Sequence, residues 1–275
     1  MKLTKISLRY AMLTALAIVY VSPVIFMLLT SFKTQGTATS YPPTWIPDPF
    51  TTQAYESIFD PVNNTPVFRW LLNSMFAATM HALLVVTIAT LAAYPLARLQ
   101  FRGKNIIQGV VVITLLVPPV ILIIPSFSIV NDLGWLNNPI AIIVPTAAGA
   151  FGVFLMRQFF LSIPAELEEA ARIDGANRFQ VFTKIALPLS KPGITTLALL
   201  SFLSNWNDFL WPVFVLFDKT LQTLPAGLAI LQGSNAVRYD LLMAGAVVAS
   251  VPVLILFFFL QRFVVEGVAR TGVKG

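Results

Sequence analysis

Charged residues interrupt this chain at wide intervals, and six long apolar segments lie between them: 10–32, 70–97, 106–130, 139–156, 192–217 and 241–261. Each reaches the roughly 17 to 25 residues that a helix needs to cross the hydrocarbon core of a bilayer. In lipid, only helices satisfy their backbone groups within one segment; the other solution is a closed barrel. The pattern predicts an all-α membrane protein, a bundle of six transmembrane helices forming one domain over 1–275. No internal repeat or low-complexity tract is visible.

Two connections stand out. The first, 33–69, is rich in Pro, Thr and Asn, and prolines at 42, 43, 47 and 49 exclude regular helix there. Trp45, Ile46, Phe50 and Tyr55 need something to pack on, so the segment reads as an ordered cap over one mouth of the bundle, against the alternative of a floppy connector. The second, 157–191, is charged and helix-forming. Ser162 reads as a helix cap with Pro164 in the first turn. Glu166, Glu168 and Glu169 crowd the N-terminal half, where the helix dipole favours negative charge. Glu168 and Arg172 stand four apart and are expected to pair. Leu167, Ala170 and Ala171 give one side a flat face. Gly175 reads as a left-handed stop, Asn177 as a second cap and Pro188 as the end of a second short helix. Two short helices joined by a tight turn suit docking into a partner's groove. From the residues alone, an ordinary amphipathic hairpin remains the alternative.

Composition agrees with a membrane chain. Hydrophobic residues make up 57% of it and charged residues 11%, with mean hydropathy +0.79; soluble domains carry about 25% charged residues. A net charge of +6 would suggest nucleic acid for a soluble protein. Here the basic residues segregate: fourteen fall on the side of the N-terminus and four (Lys33, Arg69, Lys219, Arg238) on the other. The positive-inside rule then places both termini and the 157–191 loop in the cytoplasm and 33–69 outside. The run after MKLTKISLRY is too long for a signal h-region and reads as a retained first span. Without cysteine, disulfide, thiol and cysteine–metal chemistry are excluded. No G-x-x-x-x-G-K-[ST] phosphate loop is present, so ATP hydrolysis by that route is excluded.

Candidate chemistry inside the spans is sparse. Asn205, Trp206, Asn207, Asp208 and Trp211 fall midway along the fifth span. A mid-bilayer Asp costs about 2.5–3.5 kcal/mol on insertion scales, so this group should face the bundle or a wet cavity. Amide, carboxylate and indole groups suit sugar hydroxyls and rings; a purely structural polar knot is the equal alternative. His81, the single histidine, reads as a packing or helix–helix hydrogen-bonding residue. Pro118, Pro119 and Pro125 are gating kinks or tolerated bends. The Phe-rich run at 257–260 reads as lipid-facing or packing surface. One Asp and one His are too few for the ionisable relay of an ion-coupled secondary transporter, the rival from another class, and do not form an enzyme's acid/base set.

The order E-A-A, three residues, G, nine residues, I, one residue, L-P, carried by Glu169, Ala170, Ala171, Gly175, Ile185, Leu187 and Pro188, resembles the coupling loop of permease subunits of ATP-driven (ABC) importers. TWIPDPFTTQAYESIF, LLNS, SNWNDFLWPVFVL, TLPAGLAIL and the terminal QRFVVEGVARTGVKG together look like carbohydrate importers of the maltose-transporter class, in particular the subunit ending in VKG. The tail departs from that pattern at Ala269, Arg270 and Thr271. The resemblance implies a type I importer permease bundle in a bacterial or archaeal plasma membrane. It implies a complex with a homologous second permease, two ATP-binding subunits that hold ATP and Mg, and an extracytoplasmic sugar-binding protein, with no cofactor in this chain and no nucleic acid. It assigns coupling to Glu169, Ala170, Ala171, Asp174, Gly175, Leu187 and Pro188, and implies a di- or oligosaccharide or glycoside as cargo; the mid-span residues Asn205, Trp206, Asp208 and Trp211 are the candidate pathway for it. A polyol phosphate such as glycerol 3-phosphate is the alternative cargo; it calls for an Arg or Lys near the cavity, and none lies inside a span.

Overall fold

The computed structural model describes residues 2–60, 66–232 and 237–272, with side chains described from 9 and up to 229 and 261 in the flanking helices. The VKG run at 273–275 lies outside the described residues, as does the side chain of Arg270. Among the described residues there are helices and turns and no strand.

In chain order, α1 (Lys2–Thr30) is followed by α2 (Gln35–Ala38) and α3 (Gln53–Phe59) in the first long connection, then α4 (Val67–Arg98). Next come α5 (Lys104–Thr114), a 3₁₀ turn at Pro119–Leu122 and α6 (Ile123–Asp132), then α7 (Ile140–Ile143) and α8 (Ala150–Leu161). The loop helices α9 (Ala165–Ile173), α10 (Arg178–Val181) and α11 (Leu187–Leu189) precede α12 (Lys191–Trp206), α13 (Leu210–Val215), α14 (Leu224–Gln232) and α15 (Tyr239–Gly272).

Three helical stretches are long and apolar enough to cross a membrane unaided: Arg9–Thr30, Val67–Arg98 and Tyr239–Gln261. The apolar segments expected as the third, fourth and fifth spans are broken. α5 and the Pro119–Asp132 stretch meet at 97°, because Pro118 and Pro119 bring no N–H to continue the ladder. The segment 139–156 divides into α7 and α8 around Pro145 and Gly149, and 192–217 divides into α12 and α13 at Asn207–Phe209. Hydropathy registers apolar length, and a broken helix is as apolar as a straight one. The ends also move: α1 begins eight residues before the expected boundary at 10 and stops at Thr30, and α15 continues past 261.

α4 is the central strut. Its C-terminal half packs with α8 and α12 around Val85, Ala89, Tyr94, Met156, Phe160 and Leu197. Its N-terminal half packs with α3, α12, α14 and α15 around Trp70, Ala78, Phe202, Trp206 and Ala244. Small residues let these helices approach closely. A Cβ on Gly193 of α12 would lie 2.5 Å from the Phe159 ring of α8. By contrast, α1 lies against α15, and most of its length is exposed.

The 33–69 connection is ordered where it is described. Phe32 stacks on Phe50 at 4.8 Å between centroids, Trp45 meets Phe26 edge-on at 5.3 Å, and the Tyr55 hydroxyl lies 2.7 Å from Ser31 Oγ. Ile46 remains 77% exposed, so it does not join this packing. Lys33 is buried, its ammonium donating to the Thr44 carbonyl and lying 5.1 Å from the Phe26 ring centre. Burial lowers its pKa below the usual lysine value.

Candidate functional site

The 157–191 loop folds as two short helical pieces around one glycine turn. Ser162 does not cap α9; its Oγ donates back to the Phe159 carbonyl at 2.8 Å, closing α8, and Pro164 stands at the N-cap. Gly175 has φ +88°, where an L side chain is strained, and the Ala176 N–H returns to the Ala171 carbonyl. Asn177 forms a full capping box with Gln180: Asn177 Oδ1 accepts from the Gln180 N–H at 2.9 Å, and Gln180 Oε1 accepts from the Asn177 N–H at 2.8 Å.

Pro188 does not end the second helix. The chain passes from α10 through a π turn at Phe182–Ala186 into α11, where Pro188 sits near the start, and the run closes at Ser190. The Leu187 N–H reaches back five residues to the Phe182 carbonyl. Because the π turn resets the ladder just before the proline, the missing N–H falls where a new helical turn is beginning.

The loop is tied to the bundle by residues that spacing did not reveal. Glu168 pairs with Arg98 at the end of α4 at 3.0 Å, not with Arg172; both side chains are nearly buried. Arg98 also donates to the Ile163 carbonyl, and the Tyr94 hydroxyl donates to Glu168 at 3.3 Å. A charge with a buried opposite partner within reach gains more than it does from an exposed neighbour one turn away. Phe182, from the π turn, enters an aromatic cluster with Tyr94 (4.9 Å) and Phe160 (6.3 Å), and Ala186 is fully buried beside it. The apolar spacing of Val181, Phe182, Ile185 and Ala186 is the sequence signal for this inward face. The outward face carries Glu169, Ala170 and Asp174, with Leu167 46%, Ile173 86% and Phe179 70% exposed. Ala171 is half-buried, and Leu187 and Pro188 flank the π turn.

The mid-span polar residues converge on the break between α7 and α8. Three successive carbonyls at the end of α7 have no helical partner ahead of them, and three side chains from three helices take them. Trp211 Nε1 of α13 donates to Ala141 O at 2.7 Å, and Asn205 Nδ2 of α12 donates to Ile142 O at 2.7 Å. His81 Nδ1 of α4 lies 2.8 Å from Ile143 O. A carbonyl only accepts, so His81 carries its proton on Nδ1. Trp206 is buried and stacked on Phe202. Asp208 is half-exposed at the break between α12 and α13, where its Oδ1 accepts from the Trp211 N–H at 3.2 Å. Of the four candidate pathway residues, two thus spend their donors on backbone and one is stacked inside the core; Asp208 remains partly exposed, and among the described residues no ion pair takes its charge. An apolar groove of about 660 Å³ runs between α4 and α7, lined by Phe76, Met80, Leu83, Pro139, Ile140 and Val144. Among the described residues there is no group of three metal-ligating side chains.

Residues 85–270 match the family of binding-protein-dependent transport system inner membrane components. The arabinooligosaccharides transport system permease protein AraQ of Halalkalibacterium halodurans is 36% identical over 94% of this chain and 93% of its own length. The sulfoquinovosyl glycerol transport system permease protein SmoH of Agrobacterium fabrum is 35% identical over 98% and 94%. Among solved structures, a chain of a bacterial ABC transporter involved in the import of the acidic polysaccharide alginate superposes with a TM-score of 0.80 at 25% identity, covering 96% of this chain and 97% of that one.

Proposed function

This chain belongs to the family of binding-protein-dependent transport system inner membrane components and has the type I importer permease fold, and from that premise we propose that it is the transmembrane permease subunit of an ATP-driven sugar importer. Its cargo is a di- or oligosaccharide or a glycoside, handed over by an extracytoplasmic binding protein. A homologous permease completes the pathway, and two separate ATP-binding subunits supply ATP and Mg. This chain itself catalyses no reaction. Both termini and the 157–191 loop lie on the cytoplasmic side.

The observation that carries the reading is the two-faced build of that loop. Its inward face is fixed to the bundle by the Arg98–Glu168 pair and by Phe182. Its outward face leaves Leu167, Ile173 and Phe179 bare beside Glu169 and Asp174. Exposed apolar side chains rimmed by charge mark a protein-docking surface. Closure of the ATP-binding subunits would push on this face. The ion pair and the aromatic cluster would pass the push to α4 and α8, and the chain itself would carry it through α11 into α12; α4 and α12 hold His81 and Asn205 of the mid-span knot. Asp208, beside the break, is our candidate for cargo contact.

The test uses the complex reconstituted in vesicles. Ile173→Asp with Phe179→Asp should leave this chain inserted but release the ATP-binding subunits on purification. Glu169→Lys should abolish the stimulation of ATP hydrolysis by sugar-loaded binding protein. Retained subunits and normal stimulation in these variants would refute the assignment.

A further inference from the structure

Between the end of α4 and the loop helices lies a second cleft, of about 210 Å³, lined by Tyr94, Arg98, Gln100, Glu168, Arg172 and Arg178. It holds three guanidinium groups and one carboxylate. The Arg98–Glu168 pair accounts for one positive charge. Among the described residues, neither Arg172 nor Arg178 stands within ion-pair distance of a carboxylate. Two exposed guanidiniums without a carboxylate partner therefore line one cleft, where an anion would find both.

The chemistry of the lining specifies that anion. Guanidinium forks match the oxygens of a phosphate group in pairs, and they hold them better than lysine would. The Gln100 amide adds a neutral donor. The level in the molecule fits too. Gln100 follows the last residue of α4 by two positions, which sets the cleft at the boundary between hydrocarbon and water. Basic pockets between helices at that height take anionic headgroups.

We infer that this cleft is a binding site for a phosphate group, supplied by an anionic phospholipid or by free phosphate. This rests on reading α4 as a membrane span and not on the cargo or the direction of transport. An anion held there would bridge α4, α9 and α10 at once and fix the pose in which the loop meets its partner.

The test reads binding alone, on the complete complex purified in neutral detergent. Native mass spectrometry should find phosphatidylglycerol retained by the wild type and phosphatidylcholine not. In the exposed double variant Arg172→Gln, Arg178→Gln, retention should fall roughly tenfold or more, the loss expected of one or two charge-assisted contacts. Arg102→Gln, a neighbouring basic residue outside the cleft, should bind as the wild type does. If inorganic phosphate alone raises the melting temperature of the wild type but not of the double variant, and phosphatidylglycerol does not displace it, free phosphate is the source. Equal retention of phosphatidylglycerol in wild type and double variant, with no variant-sensitive effect of phosphate, overturns the site. So does a double variant that sheds the ATP-binding subunits while binding both anions normally, because the arginines would then belong to the subunit interface.

Discussion

Glu168 illustrates how one side chain can be placed correctly on a helix and still be given the wrong partner. Spacing pairs it with Arg172; the fold offers Arg98, nearly buried, and Glu168 takes it. Breaking a buried pair from one side strands the other charge and costs about 3–5 kcal/mol. Arg98→Met should therefore lower the melting temperature of the purified chain, and the double replacement Arg98→Met, Glu168→Leu should recover most of the loss. Equal melting of wild type and Arg98→Met would show that the pair is screened. Gly175 makes a second residue-scale case. Apart from its own chain neighbours, nothing lies within 4 Å of a Cβ placed there, so the obstacle to a side chain is φ +88° alone. Gly175→Val should cost about 1–3 kcal/mol of backbone strain and uncouple sugar-stimulated ATP hydrolysis, while Gly175→Asn, which tolerates the left-handed region, should retain most of the coupling. If both variants are stimulated normally, the turn is not needed for coupling.

At the scale of elements, the decisive features are breaks. The end of α7 leaves three carbonyls bare, and the side chains of His81, Asn205 and Trp211 complete them from three different helices. An unpaired buried carbonyl costs about 1–3 kcal/mol. Trp211→Phe and Asn205→Leu should each reduce complex assembly and sugar uptake in parallel, measured by co-purification and by transport in vesicles. Asp208→Asn keeps an oxygen for the Trp211 N–H and removes the charge. If Asp208 touches cargo, uptake should fall with assembly unchanged; an unchanged uptake would remove it from the pathway. The π turn is the other break, and it aims Phe182 into the aromatic cluster. Phe182→Ala should cost about 3–5 kcal/mol and raise hydrogen exchange across 165–189 above that of α12. Uniform exchange in the two segments would mean that Phe182 does not anchor the loop.

For the whole molecule, orientation is the open quantity, and the absence of cysteine makes it directly measurable. A cysteine at Thr52 should react with an impermeant maleimide from outside, and cysteines at Asn105 and Asn177 only after permeabilisation. External labelling at Asn177 would reverse the molecule and remove the coupling role of its loop. Ser234, an attractive second outer position, lies outside the described residues. The sequence by itself determined the membrane class, because apolar length and charge segregation are properties of the solvent a segment needs and require no partner. It also determined the glycine stop and the Asn177 cap, since both close within a few residues of chain. Tertiary structure decided the rest. Which carboxylate answers Arg98, and that Asn205 and Trp211 serve backbone carbonyls, depend on groups 60 or more residues apart. A buried polar atom takes whichever partner the packing of distant helices brings within 3 Å, and local spacing carries no record of that.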